Sequence, residues 1–402
     1  MSVIARARRV RSGSAGRWLA VVTGSVLLLA PPQRLSAQTP FTAIGSGYPT
    51  QAVDARASAL GSATVALLGG SYSLKNPAAV TEFRGLHLHA SFTSEGVDVK
   101  YPNTSESISR GWLPVVRAIL PLGRQNVLAL GIGSNLDQDW GVVFRDTLDS
   151  TLGTFPFDER RENDGGLSSL DITFARRMGG LSFGAGLQRL TGNLRQTVFR
   201  TFEEDTAGTG TVPRPVRDFA QVDYGAWRFL GGVTGKYKNA VLIGAQVAVS
   251  TDLKATRDTT GQSGSFKQPL ELGVGGSARI SSRFLLAFSG GWTNWSVANE
   301  SFNTVRSANT YYLGGGVEYT GVRFISLAVP VRLGYRWNKL PFIIQGKKQS
   351  TEWAATFGLG TRIASGAAAF DFGFEWGERG DLPTTGAEES FFRATLSISL
   401  RQ

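Results

Sequence analysis

The sequence predicts an all-β fold, a transmembrane antiparallel β-barrel of about 14 strands with a small N-terminal hatch in its lumen. Three observations carry this prediction. Apolar and polar residues alternate along many segments, the links between those segments alternate between short and long, and the body of the chain has no apolar run long enough for a spanning helix. Glycine, at 50 of 402 residues, exceeds the usual share of about 7%. Charged residues make up 18%, below the usual quarter or so.

The alternation is clearest at the end of the chain. Phe392, Ala394, Leu396, Ile398 and Leu400 interleave with Arg393, Thr395, Ser397 and Ser399. Phe370, Phe372, Phe374 and Trp376 interleave with Asp371, Gly373 and Glu375, and Leu270, Leu272 and Val274 with Glu271, Gly273 and Gly275. A run from Ile325 to Trp337 follows the same rule. A period of two puts successive side chains on opposite faces of a strand. In a soluble sandwich the apolar face would meet a second sheet, but these segments exceed the five or six residues usual for soluble strands. A tilted strand of about nine to eleven residues crosses a bilayer. Trp140, Trp292, Trp295, Trp337, Trp353 and Trp376 near one set of strand ends, with Tyr237, Phe284, Tyr319 and Phe324 near the other, suggest two interfacial girdles.

Strands are expected near 85–101, 112–122, 126–145, 167–178, 181–199, 221–237, 240–256, 267–280, 284–298, 308–320, 323–338, 350–364, 367–379 and 390–400. Tight links (GRQ, GG, KN, SSR, TG, SG) alternate with long polar ones such as residues 146–166 and 201–220. That places both termini on the short-turn, periplasmic side. An open sheet in lipid would strand unpaired backbone groups, so the sheet must close. The alternation slips around Val222–Trp227, where a bulge is expected.

Residues 1–37 read as a secretory signal peptide: an arginine-rich start without acids, the apolar stretch WLAVVTGSVLLLA, and small residues Ser36 and Ala37 before Gln38. Their six arginines account for six of the net +11, leaving +5 scattered over the remainder, which is no nucleic-acid signature. The chain has no cysteine, so its stability rests on no disulfide.

Residues 38–84 differ from the rest, being rich in Ala, Gly, Ser and Leu. Asp54 is placed to cap a short helix. A fourteen-stranded barrel encloses more space than its own side chains fill, so a compact plug is expected there, followed by the barrel over 85–402. The run ALGSATVALLGGSYSLKNPAAV, ahead of a strand, resembles the hatch signature of the long-chain fatty acid transport protein family of outer-membrane barrels. The matching positions are Gly61, Ala63, Ala66, Asn76, Pro77 and Ala78. The sequence departs from the family pattern where Gly69, Gly70 and Ser71 replace an acidic stretch and Leu74-Lys75 precede Asn76.

The resemblance implies a fourteen-stranded bacterial outer-membrane barrel that passes fatty acids or other hydrophobic molecules. Gly61, Asn76, Pro77 and Ala78 would take part in gating, and release would run sideways through the wall. A related group with the same signature serves as scaffold or shuttle for a protein secretion system, which is the alternative reading. Gly131, Gly133, Ser134 and Asn135, close together in the third strand, would mark a kink for the lateral opening, or act as packing spacers. Leu152, Phe155, Phe157, Phe342, Ile343 and Ile344 put apolar side chains in otherwise polar external segments, a candidate landing site for hydrophobic cargo.

No catalytic constellation is found. The Gly-x-Gly patterns lie within strands, and His87 and His89 face the lumen without an evident third ligand, so no cofactor, metal or enzymatic role is expected. Glu271, Arg279, Glu318, Arg332, Arg336, Arg362, Asp371, Glu375 and Arg393 point inward, as a ladder bracing the wall or as contacts for a carboxylate head group. The expected partners are membrane lipid and hydrophobic cargo, with no nucleic acid, and the expected state is a monomer. A cargo chain of roughly fifteen methylenes gains on the order of 12 kcal/mol on burial. A passive greasy hole would therefore trap it, and some element must move to release it.

Overall fold

A computed structural model describes residues 40–43, 47–51, 53–102, 105–150, 153–202, 214–258, 260–300, 306–324, 327–343 and 348–402. The expected signal peptide, Leu152 and Ile344 lie outside these residues. Among them, fourteen antiparallel strands form the wall. They are β1 (His87–Lys100), β2 (Ser105–Trp112, continued as Val115–Leu122), β3 (Asn126–Asp137, continued as Trp140–Ser150), β4 (Gly153–Met178), β5 (Leu181–Phe202), β6 (Val216–Tyr237) and β7 (Val241–Ser250, continued as Leu253–Arg257). There follow β8 (Ser263–Phe266, continued as Glu271–Arg279), β9 (Phe284–Thr293), β10 (Thr310–Tyr319), β11 (Val331–Ile343), β12 (Gln349–Ile363), β13 (Ala368–Asp381) and β14 (Ala387–Arg401). Each pairs with its neighbour in sequence, and β14 pairs with β1 from His87↔Arg401 to Lys100↔Glu388. That last pairing closes the sheet and leaves neither terminal strand as a free edge.

The two faces follow the alternation. On β1, His87, His89, Ser91, Thr93 and Glu95 are buried inward, while Leu88 is 47% exposed. On β14, Arg393, Thr395, Ser397 and Ser399 are buried inward, while Leu400 is 52% exposed on the outside. The outside is the apolar face, as a wall meeting hydrocarbon requires.

Three expectations need correction. Residues 146–166 are not a loop: Trp140–Ser150 pairs with Gly153–Asn163 as a two-stranded ribbon. Its charges pair on its surfaces, as in Arg145–Asp158 at 3.4 Å. Outside the lipid neither face need be apolar, so alternation does not mark these strands. Residues 323–324 and 327–328 do not begin β11. Arg323–Phe324 pairs with Leu327–Ala328 as a separate hairpin, and β11 starts at Val331, after Pro330, which has no N–H to donate to a ladder. Trp295 is no girdle residue. It is buried inside the lumen against Leu136, Leu167 and Leu190.

Residues 53–84 occupy the lumen. Asp54 caps the short helix Ala55–Ala59, accepting from the Ala57 N–H at 3.0 Å. The helix is only five residues long because the chain turns at Leu60 and Gly61, which has a φ of 66°. Asn76 then caps the 3-10 helix Pro77–Glu82, with proline at its first position.

Candidate functional site

The Asn-Pro-Ala tripeptide is a structural joint. Asn76 Oδ1 accepts from the Ala78 N–H at 3.0 Å, and its Nδ2 donates to the Val65 carbonyl at 2.6 Å. One side chain thus ties the two halves of the luminal segment together. The wall makes room for this joint with glycines. A Cβ on Gly232 would strike Asn76 Oδ1, and one on Gly184 would strike the Pro77 and Ala78 backbone. Gly61 sits as tightly against the backbone of Tyr335 and Gly315.

Inward serines and threonines of the wall take up the backbone groups that the segment's own short helices leave over. Ser397 Oγ accepts from the Ala55 N–H at 2.8 Å, Ser277 Oγ from the Leu68 N–H at 2.8 Å, and Ser289 Oγ from the Val65 N–H at 3.1 Å. Thr356 Oγ1 donates to the Ala59 carbonyl at 2.9 Å. Buried backbone groups need such partners.

Most of the inward charges form a buried network. Glu318 holds Arg332 at 2.7 Å and Arg56 of the luminal segment at 2.9 Å. Glu375 holds Arg336 at 2.8 Å and Arg393 at 3.0 Å, and Glu95 holds Arg379 at 2.6 Å and Arg393 at 2.8 Å. Asp371 joins through Arg332, and Glu271 pairs with Arg228. These ions brace the wall and anchor the segment to it. Arg279 and Arg362 instead stand exposed. His89 binds the hydroxyls of Ser399 and Ser91, and His87 binds Tyr72 and the Arg84 carbonyl, so both rings are engaged in hydrogen bonds.

On the external side of the luminal segment lies a pocket of about 150 Å³, with one polar and one apolar end. At the polar end, the ammonium of Lys75 lies 5.3 Å from the centre of the Tyr312 ring, with Arg228 and Glu271 alongside. No carboxylate pairs with Lys75 among the described residues. The Tyr312 hydroxyl, the Ser62 hydroxyl and Arg228 Nε are buried without a hydrogen-bond partner there. Burial first, and the Arg228 charge second, push the Lys75 ammonium down to about 8. The apolar end is formed by Leu136, Leu167, Leu190 and Trp295. Leu136 and Leu167 also line a second cavity, of about 300 Å³, that runs to the wall between β2 and β3.

At that point the wall is incomplete. The β2–β3 ladder ends at Val115↔Gly133, where Pro114 interrupts β2. β3 bulges between Ser134 and Leu136, and beyond it the short segment Tyr48–Pro49 pairs with Leu136 and Asp137 in place of β2. Thr50 and Ser134 share a hydroxyl hydrogen bond of 2.8 Å. Arg110 of β2 spans the break to Asp137 of β3, while its Nε donates to Glu95 at 2.5 Å.

Of the four expected lateral-opening residues, three lie at this break, while Gly131 is still paired with Arg117 inside the β2–β3 ladder. Ser134 and Asn135 are in the bulge, and Gly133 ends the ladder. Gly131 faces inward, where a Cβ would come within 2.8 Å of Leu74 of the luminal segment. The candidate landing residues are separated. Phe155 and Phe157 are on β4, where Phe157 is buried with its ring centre 5.8 Å from that of Phe202, and Ile343 ends β11 opposite Arg306. The side chain of Phe342 lies outside the described residues. Sequence reading did not find Lys75, Arg228, Tyr312, Arg110 or Asp137 as a group, because they come together only through the closed sheet.

Comparisons with known proteins agree with the fold. A family model described as BamG matches residues 236–402. No curated protein matches the chain. A solved FadL homologue from Pseudomonas aeruginosa superposes with a TM-score of 0.58 at 14% identity, covering 91% of this chain and 100% of that one. The toluene transporter TodX of Pseudomonas putida superposes with a TM-score of 0.54 at 14% identity, covering 90% of this chain and 99% of its own. The chain therefore has the fold of the FadL-type barrels, a closed fourteen-stranded antiparallel barrel.

Proposed function

We propose that this chain passes hydrophobic molecules with a polar or anionic head, long-chain fatty acids foremost, across the outer membrane. The observation that carries the proposal is the luminal pocket. Its cationic end at Lys75 and apolar end at Leu136 and Leu167 suit an amphiphile, and the same two leucines lead on to the break between β2 and β3. At about 150 Å³ the pocket is smaller than the roughly 300–1,000 Å³ of sites that enclose a whole ligand. It would hold a head group and the start of a chain, so passage needs the luminal segment to yield. Gly61, Asn76, Pro77 and Ala78, packed on wall glycines, are the elements to shift. Gly133, Ser134 and Asn135 are the exit. Phe155 and Ile343 would meet cargo first, on the external side.

The absence of cysteine from the sequence gives a clean test. Cells that lack their own uptake channel and express this chain should accumulate labelled oleate several-fold above vector controls. Joining the two sides of the break through Trp112→Cys and Ser134→Cys should abolish the gain until reductant is added. Uptake at vector level with the native chain in the membrane, or full uptake through the joined form, would refute the proposal.

A further inference from the structure

The outer surface of a barrel is ordinarily convex, but here β14 and β1 to β6 form a concave groove of about 920 Å³ facing the lipid. Leu88, Val116, Leu130, Ile172 and Leu400 line it, all of them exposed on the outer face.

Arg189 stands at one end of the groove. Its neighbours Gln188 and Leu190 are buried inward, so Arg189 points outward. It lies opposite Leu170 of β4 and Trp227 of β6, both exposed on the lipid side. Its guanidinium is 5.1 Å from the centre of the Trp227 ring and lies across Gly225, where a Cβ would be 2.6 Å from Nη2. No acid pairs with it among the described residues.

Its depth is set by its own strand. From the periplasmic turn outward, the lipid-facing residues of β5 are Leu181, Phe183, Ala185 and Leu187, then Arg189, Thr191 and Asn193. Arg189 is thus the first polar side chain at the external edge of the apolar band, level with the head groups of the outer leaflet. An unpaired arginine at an interface, held by an aromatic ring and adjoining an apolar groove, complements a phosphate on an acylated lipid. Arginine presents a planar fork of donors to phosphate.

We propose that this groove is a specific site for a phosphorylated, acylated glycolipid of the outer leaflet, of the lipid A type. The acyl chains lie in the groove and a sugar phosphate is held by Arg189. The site is independent of the luminal pocket and of what the barrel carries.

The test is native mass spectrometry of the full chain in dodecyl maltoside, titrated with bisphosphorylated lipid A, its dephosphorylated form and phosphatidylglycerol. One lipid A is expected to be retained in preference to the other two. Arg189→Gln should weaken retention about tenfold, the scale of one charge-assisted hydrogen bond. Arg189→Lys should lose less, and Leu130→Trp, which fills the groove while leaving the charge, should lose as much as Arg189→Gln. The thermal midpoint of each variant reports whether it is folded. Retention unchanged in Arg189→Gln or in Leu130→Trp, phosphatidylglycerol held as well as lipid A, or a dimer that covers the groove would each overturn the proposal.

Discussion

Lys75 occupies the position before Asn76, and its ammonium enters the luminal pocket facing a tyrosine ring and Arg228, which already pairs with the nearby Glu271 carboxylate. With its pKa held down to about 8, the side chain is charged below that pH and neutral above it. An anionic head group would supply the missing counter-charge, so binding should be strongest below about pH 8 and fall as the pH rises through it. Lys75→Met should weaken binding of laurate about tenfold at pH 7 and remove that pH dependence. Binding of the neutral analogue dodecanol should not change. Quenching of tryptophan fluorescence, with Trp295 in the pocket wall, gives the titration. Equal laurate affinity in native and Lys75→Met chains would show that the ammonium does not meet the head group. Lys75 was visible in the sequence as a departure from the hatch pattern. Its surroundings were not, because Tyr312 and Arg228 come from β10 and β6, far along the chain.

At the scale of elements, the break between β2 and β3 is closed by side chains and by a borrowed strand in place of a ladder. Arg110 and Asp137 join the two sides, and Tyr48–Pro49 supplies the backbone pairing that β2 gives up. The Tyr48 hydroxyl donates to Glu352 at 2.5 Å, so this borrowed strand is itself tied to the buried charges. Asp137→Asn keeps the shape and removes the attraction across the break. Arg110 still has Glu95, so its charge is not stranded and the loss of stability should stay below the roughly 3–5 kcal/mol of breaking an isolated buried pair. The expected result is faster oleate uptake with a nearly unchanged thermal midpoint. Slower or equal uptake would mean that this ion pair does not limit exit. Strands that face lipid were legible in the sequence, since one face must be apolar and the other need not be. The external ribbon of β3 and β4 and the Arg323–Ala328 hairpin carry no such requirement, so their strands left no period to read. The break was partly legible: Gly133, Ser134 and Asn135 pointed to it, but Pro114 and the strand Tyr48–Pro49 did not.

At the scale of the molecule, the wall and the luminal segment depend on each other unequally. Each wall strand has its ladder partners in neighbouring strands, and β14 closes on β1 without help from residues 53–84. The pairs Arg332–Glu318, Arg336–Glu375 and Arg393–Glu95 also lie within the wall. The segment, by contrast, has only a five-residue α-helix and a short 3-10 helix of its own, and Ser277, Ser289, Thr356 and Ser397 of the wall meet its backbone. Deleting residues 40–84 should therefore leave a barrel that still folds, with those hydroxyls exposed to water in the lumen, and should convert it into an open pore. In planar bilayers the shortened chain should show steady ion conductance where the full chain shows little. Gly232→Val, which displaces Asn76 and Pro77 without touching a ladder, should give intermittent openings. A shortened chain that folds, judged by its heat-sensitive mobility on gels, but conducts no better than the full chain would mean that residues 53–84 do not close the bore. One that never reaches the folded band would instead make the segment a template on which the wall assembles, contrary to the independence argued from its pairing.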